Sequence, residues 1–219
     1  MRTQVAITGA GPIFDAEFQA GLLDLFRWRR DVRRFLRAPL DPAVIDALLE
    51  VACLAPSVGF SQPWRFVTVD APERRAAVRA CFEACNAQAL ADQAARAAQY
   101  ARLKLAGLDE APCHLAVFAE PEPEEGHGLG RRTMPETTAY SAVMAVHTLW
   151  LAARARGLGL GWVSILDPAA IGRILDVPPA WLFIGYFCLG HPSADHDHPE
   201  LEREGWERRR AAADARLRR

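Results

Sequence analysis

A disulfide framework is the first thing this chain lacks. Five cysteines in 219 residues is an odd count with no paired spacing. Cys53, Cys81, Cys85, Cys113 and Cys188 sit mostly among apolar neighbours, which suits free thiols buried in a reducing compartment. An excess of one charge is also missing: 26 Lys and Arg against 27 Asp and Glu leave a formal net charge of −1. No general field draws such a chain to nucleic acid or to anionic lipid. No apolar run reaches the roughly 18 uncharged residues of a membrane span. The opening MRTQVAITGAGPIFDAEF has no apolar stretch long enough for a secretory signal. The expectation is a cytoplasmic protein without nucleic-acid or membrane partners. Familiar nucleotide loops are absent as well. There is no GxxxxGK[ST], and Gly157, Gly159 and Gly161 lie between a helix and a strand. A dinucleotide loop runs the other way, from strand into helix. Neither Ser57 nor Ser164 stands in a nucleophile elbow.

What is present begins with a 51% apolar composition, enough for a sizeable core. The stretch 137–166 organises the rest. TTAYSAVMAVHTLWLAARARG reads as a long helix, with Tyr140, Val143, Met144, His147, Leu151 and Arg154 at 3.6-residue spacing. Val146, Leu149 and Trp150 widen the apolar arc, so burial on most sides is expected. Thr137 or Thr138 is the expected cap, and Gly157 the left-handed terminator. Leu160–Leu166 reads as a buried strand in which Ser164 is the one hydroxyl. A buried hydroxyl needs a partner, so Ser164 contacts either backbone or a ligand.

Residues 1–14 read as a loose arm and Asp15–Arg30 as a helix. Asp41–Cys53 is a second helix, with Asp41 as cap and Pro42 at the first helical position. A loop at 55–64 leads into a strand at Arg65–Val69. The alanine-rich stretch 73–105 reads as a helical excursion or lid. Strands at His114–Phe118 and Trp181–Leu189, an exposed loop at 121–132 and a short helix at Asp167–Leu175 follow. The tail, 191–219, reads as a flexible polar extension. The order implies a single α+β domain over 15–190, with a central mixed or antiparallel sheet flanked by long helices. So few strands leave helix faces uncovered, which a homodimer would bury.

Four groupings could carry chemistry. Arg29, Arg30 and Arg33 cluster around Asp31; guanidinium forks suit phosphate, though a solvated basic face explains them too. Asp31 is either held by those arginines or turned into an apolar pocket as a base. In the Ser57–Trp64 loop, Ser57, Ser61 and Gln62 suit a heterocycle edge, as does an ordinary turn. The three glycines before Ser164 would admit a ring face. His191, His196 and His198 with two aspartates resemble a zinc set only loosely, and no metal site is expected.

Together, RRDVRRF at 29–35, APSVGFSQPW at 55–64, the run at 131–165 and CLGHP at 188–192 resemble the flavin-dependent nitroreductase-like fold. More narrowly they resemble the 5,6-dimethylbenzimidazole synthase family, over nearly all of residues 20–210. The resemblance implies a homodimer with flavin sites at the subunit interface. It implies reduced FMN as substrate and dioxygen as co-substrate, the flavin being fragmented and contracted into the lower ligand of cobalamin, with a ribityl carbon becoming its bridging C2. NAD(P)H would act only through a flavin reductase that supplies reduced FMN. Asp31 and Ser164 would be catalytic. Arg29, Arg30, Arg33, Ser57, Gln62, Gly161 and, in the less closely matching tail, Arg209 would bind the flavin. An FMN-dependent NAD(P)H nitro- or quinone reductase and a non-catalytic flavin-binding protein are the alternatives.

Overall fold

Four strands build the centre of the molecule: β1 (Trp64–Thr68), β2 (Cys113–Ala119), β3 (Gly159–Val163) and β4 (Leu182–Gly190). The computed structural model describes residues 11–92, 94–101, 103 and 105–219; most of the expected N-terminal arm lies outside them. The sheet order is β1-β2-β4-β3 and every pairing is antiparallel. β2 and β4 are central, and their residues alternate between two packed faces. Leu115, Val117, Phe187 and Leu189 meet Leu48, Val146 and Leu149 on one side. Ala116, Phe118, Tyr186 and Cys188 meet Val78, Ile171 and Leu175 on the other. The helices behind these contacts are α2 (Pro42–Ala52) and α5 (Thr137–Ala155) on the first face, and α3 (Pro72–Asp92) and α6 (Pro168–Leu175) on the second. Three layers result, with the sheet in the middle.

Local chemistry sets several helix ends, those at Asp41 and Gly157 as expected. Asp41 accepts the Ala43 N–H and Asp167 accepts those of Ala169 and Ala170, each before a proline at the start of its helix. Asp15 likewise caps α1 (Ala16–Trp28) through the Phe18 N–H. Gly157 ends α5 with φ +71°. The expected threonine cap does not form. Glu136 stands at the cap position without a side-chain bond. The Thr137 and Thr138 hydroxyls instead donate backwards to the carbonyls of Met134 and Pro135.

The face of α5 that packs is only part of the arc the spacing suggested. Ala142, Ala145, Val146, Leu149 and Ala153 are buried, whereas Tyr140, Val143, Met144 and His147 are exposed. Small residues let α5 lie close on the sheet, with Val146, Leu149 and Trp150 packed beside them, while Tyr140, Val143 and Met144 face outward. α1 goes further and buries no residue at all, leaving Phe18, Leu22, Leu23, Phe26 and Trp28 exposed.

Two further expectations shift. The strand ends at Val163, so Ser164 lies beyond it and is exposed. The polar C-terminal extension is docked rather than detached as far as Trp206. Ser193 N–H donates to Arg34 O, Arg34 pairs with Glu200, and Arg154 pairs with Asp195 at 2.5 Å. α4 (Ala97–Tyr100) and α7 (Glu200–Arg203) then meet through Trp206, whose ring centroid is 6.1 Å from that of Tyr100. All five cysteines are free; Cys113 and Cys188 are buried, Cys81 and Cys85 half-buried, and Cys53 exposed.

Candidate flavin site

The segment 29–33 leaves α1 and runs along the free edge of β3. Asp31 forms a parallel bridge with Leu160, and the Val32 N–H donates to Leu160 O at 3.1 Å. Such an approach needs bare backbone on the strand. A Cβ on Gly161 would lie 1.9 Å from Val32 O, and one on Gly159 would strike the Val32 side chain at 2.7 Å. These glycines therefore admit the chain's own arginine segment. Gly161, expected to accept a ring face, is buried under Val32.

This docking fixes Asp31. Oδ1 accepts the Trp162 N–H at 2.8 Å, and Oδ2 accepts from Arg33 Nε and Nη2 at 3.1 and 2.9 Å. A carboxylate offers about four lone-pair sites, so capacity is left for a ligand. Asp31, Arg33 and Ser164 line one hollow, walled by Trp150, Trp162, Leu105 and Ile165. Acid and hydroxyl thus meet at one site, from positions 133 apart in sequence. They do so because the 29–33 bridge lies against β3 and Ser164 follows that strand.

A second hollow lies nearby. Arg27, Arg30 and Arg209 border it with Trp28 and His198, and so do the carboxylates of Asp24, Asp197 and Glu202. Burial holds Arg29 below the ordinary guanidinium pKa, with Asp31 opposing and Arg209 adding repulsion. Burial likewise lowers Arg30, reinforced by Arg29 and Arg209 and opposed by Asp197 and Glu202. Two partly desolvated guanidiniums, Arg29 and Arg30, with exposed Arg209 adding to the repulsion, are arranged to receive an anion. Arg30 Nε is buried without a hydrogen-bond partner, which fits the same reading. Arg33 differs: it is committed to Asp31.

Ser57 and Gln62 line neither hollow. Their loop is closed on itself, with Ser57 Oγ accepting the Gln62 N–H at 3.0 Å. Gly59, Phe60 and Gln62 all have positive φ. The loop enters β1, at the opposite edge of the sheet from β3. Three strand spacings of about 4.8 Å separate these edges, so one subunit does not bring Ser57 or Gln62 to Asp31. Trp150, Trp162, Leu105 and Ile165 were not expected at the site. Trp150 reads in sequence as a core residue of a helix, and nothing local marks it otherwise. Among the described residues no cluster of three or more His, Cys, Asp or Glu could hold a metal ion, and His198 pairs only with the adjacent Asp197.

Comparison with known proteins bears on this geometry. The nitroreductase family pattern matches residues 26–191. A 5,6-dimethylbenzimidazole synthase of Rhodospirillum rubrum is 58% identical over 91% of this chain and 95% of its own length. One from Rhodobacter capsulatus is 51% identical over 89% of this chain and 94% of its own. Among solved structures, oxidized iodotyrosine deiodinase bound to FMN and 3-iodo-L-tyrosine superposes with a TM-score of 0.68. It is 25% identical, over 80% of this chain and 91% of that one.

Proposed function

The chain belongs to the nitroreductase family and, within it, to the 5,6-dimethylbenzimidazole synthases, and on that premise we propose how its own residues act. It converts reduced FMN, with dioxygen, into 5,6-dimethylbenzimidazole. The reduced isoalloxazine supplies electrons to oxygen, and the chain supplies binding, orientation and proton handling. The convergence of Asp31 and Ser164 on one hollow beside three mutually repelling guanidiniums carries the assignment of roles. Arg29, Arg30 and Arg209 hold the phosphate. Asp31, oriented by Trp162 N–H and Arg33, takes or relays protons as the ribityl chain and ring are broken. Ser164 hydrogen-bonds the ring or an intermediate and fixes its geometry. Trp150 and Trp162 limit access of water, which disfavours loss of the oxidising equivalents as peroxide.

Two copies make one site in this proposal. α1 exposes an apolar row, and the outward face of α5 adds Tyr140, Val143 and Met144. A second copy would cover both. It would also bring its Ser57–Gln62 loop toward the ring, which the loop cannot reach within one subunit. A separate flavin reductase in the same cytoplasmic compartment would supply the reduced FMN.

Anaerobic incubation with reduced FMN, followed by air and mass analysis, tests the reading. Benzimidazole product with loss of flavin supports it. Intact FMN together with rapid NAD(P)H-dependent quinone turnover would favour an ordinary reductase instead.

A further inference from the structure

Trp150 touches the machinery at two points that the proposed roles leave unexplained. Its indole N–H donates to the carbonyl of Arg30 at 3.0 Å. The Arg29 guanidinium lies over its ring, 4.9 Å from the centroid. The same ring forms part of the wall of the hollow that holds Asp31 and Ser164. One side chain on α5 therefore fixes the backbone of Arg30 and the head group of Arg29 just before it, while bordering the space for the flavin ring.

The physical need is plain. Arg29, Arg30 and Arg209 repel one another, and an arginine side chain has many rotamers to lose when it is held in place. Left alone, such groups would swing apart into water until an anion arrived. An aromatic face attracts a guanidinium most strongly where water is scarce, and Trp150 is almost fully buried. The N–H bond stops the Arg30 backbone from sliding along the β3 edge. The distance between anion site and ring site is thereby set before the ligand binds.

We infer that Trp150 is a positioning residue for phosphate recognition: it holds Arg29 and Arg30 at a set place relative to the ring hollow, so that flavin bearing a phosphate is preferred over flavin without one. The inference rests on the placement of the phosphate at Arg29, Arg30 and Arg209. A purely structural role is the competing explanation, since Trp150 also packs in the core cluster with Leu149 and Phe187. Phosphate dependence separates the two. Lost packing or an altered ring wall weakens every flavin alike, whereas a displaced clamp weakens the phosphorylated one further.

The test is equilibrium binding of oxidised FMN and of riboflavin, followed by flavin fluorescence, with thermal melting as a fold control. Wild type, Trp150→Phe, Trp150→Leu, Arg29→Ala and the double variant Trp150→Leu with Arg29→Ala are compared. Trp150→Phe keeps a ring under Arg29 but loses the N–H. It is expected to lose about ten-fold more in FMN affinity than in riboflavin affinity. Trp150→Leu should lose more, and Arg29→Ala should abolish that extra loss. Equal weakening of both flavins, unchanged FMN affinity in Trp150→Phe, or an extra Trp150→Leu loss that persists without Arg29 would overturn the inference. Wild-type protein that binds riboflavin as well as FMN would overturn the phosphate placement itself, and the inference with it. That failure shows in the unmodified protein, so the two are distinguishable.

Discussion

The Asp31 carboxylate accepts the backbone N–H of Trp162 at 2.8 Å, joining two residues 131 positions apart. This bond ties the arginine segment to β3 and orients the proposed proton acceptor. The close approach behind it depends on Gly161, whose Cα lies under the Val32 carbonyl.

Gly161→Ala is expected to push the 29–33 segment off the strand. The obstacle is backbone, which cannot rotate away. Overpacking of this kind costs about 1–3 kcal/mol, and FMN affinity should fall together with the melting temperature. Calorimetry and flavin titration check it; a variant that melts and binds like wild type would mean the segment tolerates the shift.

Ser164→Ala should behave in the opposite way. The residue is exposed beyond the end of β3, so stability should stay within about 0.5 kcal/mol of wild type. Benzimidazole formation should slow while FMN remains bound. Single-turnover product analysis measures this, and an unchanged rate would remove Ser164 from the proposed chemistry.

Buried His114 gives the fold an acid limit. Nδ1 lies 2.9 Å from the Tyr186 hydroxyl. Burial first, and then nearby Arg75, lower its pKa from 6.5 to about 4, against a backbone bond to Ala111 that acts the other way. The unfolded chain therefore binds the proton more readily than the folded one. The stability is present in full above about pH 6.5 and is lost as pH falls toward about 4, by up to about 3 kcal/mol in total. Urea unfolding across that range should show the decline. His114→Phe, which cannot titrate, should show a shallower slope even if it is less stable overall.

The exposed faces of α1 and α5 predict association. Wild-type protein should run as a dimer in light scattering. Met144→Asp places a charge on the outward face of α5 without disturbing the core, and should yield a monomer that binds FMN poorly. A monomeric wild type that binds FMN tightly would contradict the two-copy site.

The same elements show what the sequence could and could not reveal. Asp41–Pro42, Asp167–Pro168 and Gly157 act through their own backbone neighbours, so their roles were legible locally. Asp31 and Ser164 could be paired only through resemblance, because the contact arises when a segment outside the sheet docks on an edge strand. The buried face of α5 was misjudged for a related reason. Periodicity marks apolar residues, but Ala142, Ala145 and Ala153 pack closely, while Tyr140 and Met144 point outward. Gly161 signals a close approach in either reading, and local pattern cannot say whether ligand or chain makes it. Trp150 left no local trace, because its N–H and its ring act on Arg30 and Arg29, 120 and 121 positions away.

The most direct measurement follows the carbon of the ligand. Wild type and Asp31→Asn are given reduced FMN labelled with ¹³C throughout the ribityl chain, first without oxygen and then in air, and the products are weighed. Asn keeps an acceptor for the Trp162 N–H but cannot take up the proton, and its amide opposes Arg33 donor to donor. Wild type should yield dimethylbenzimidazole carrying one labelled carbon, while Asp31→Asn should bind FMN and yield about a hundredth as much or less. Unfragmented flavin from wild type, or full product yield from Asp31→Asn, would contradict the account.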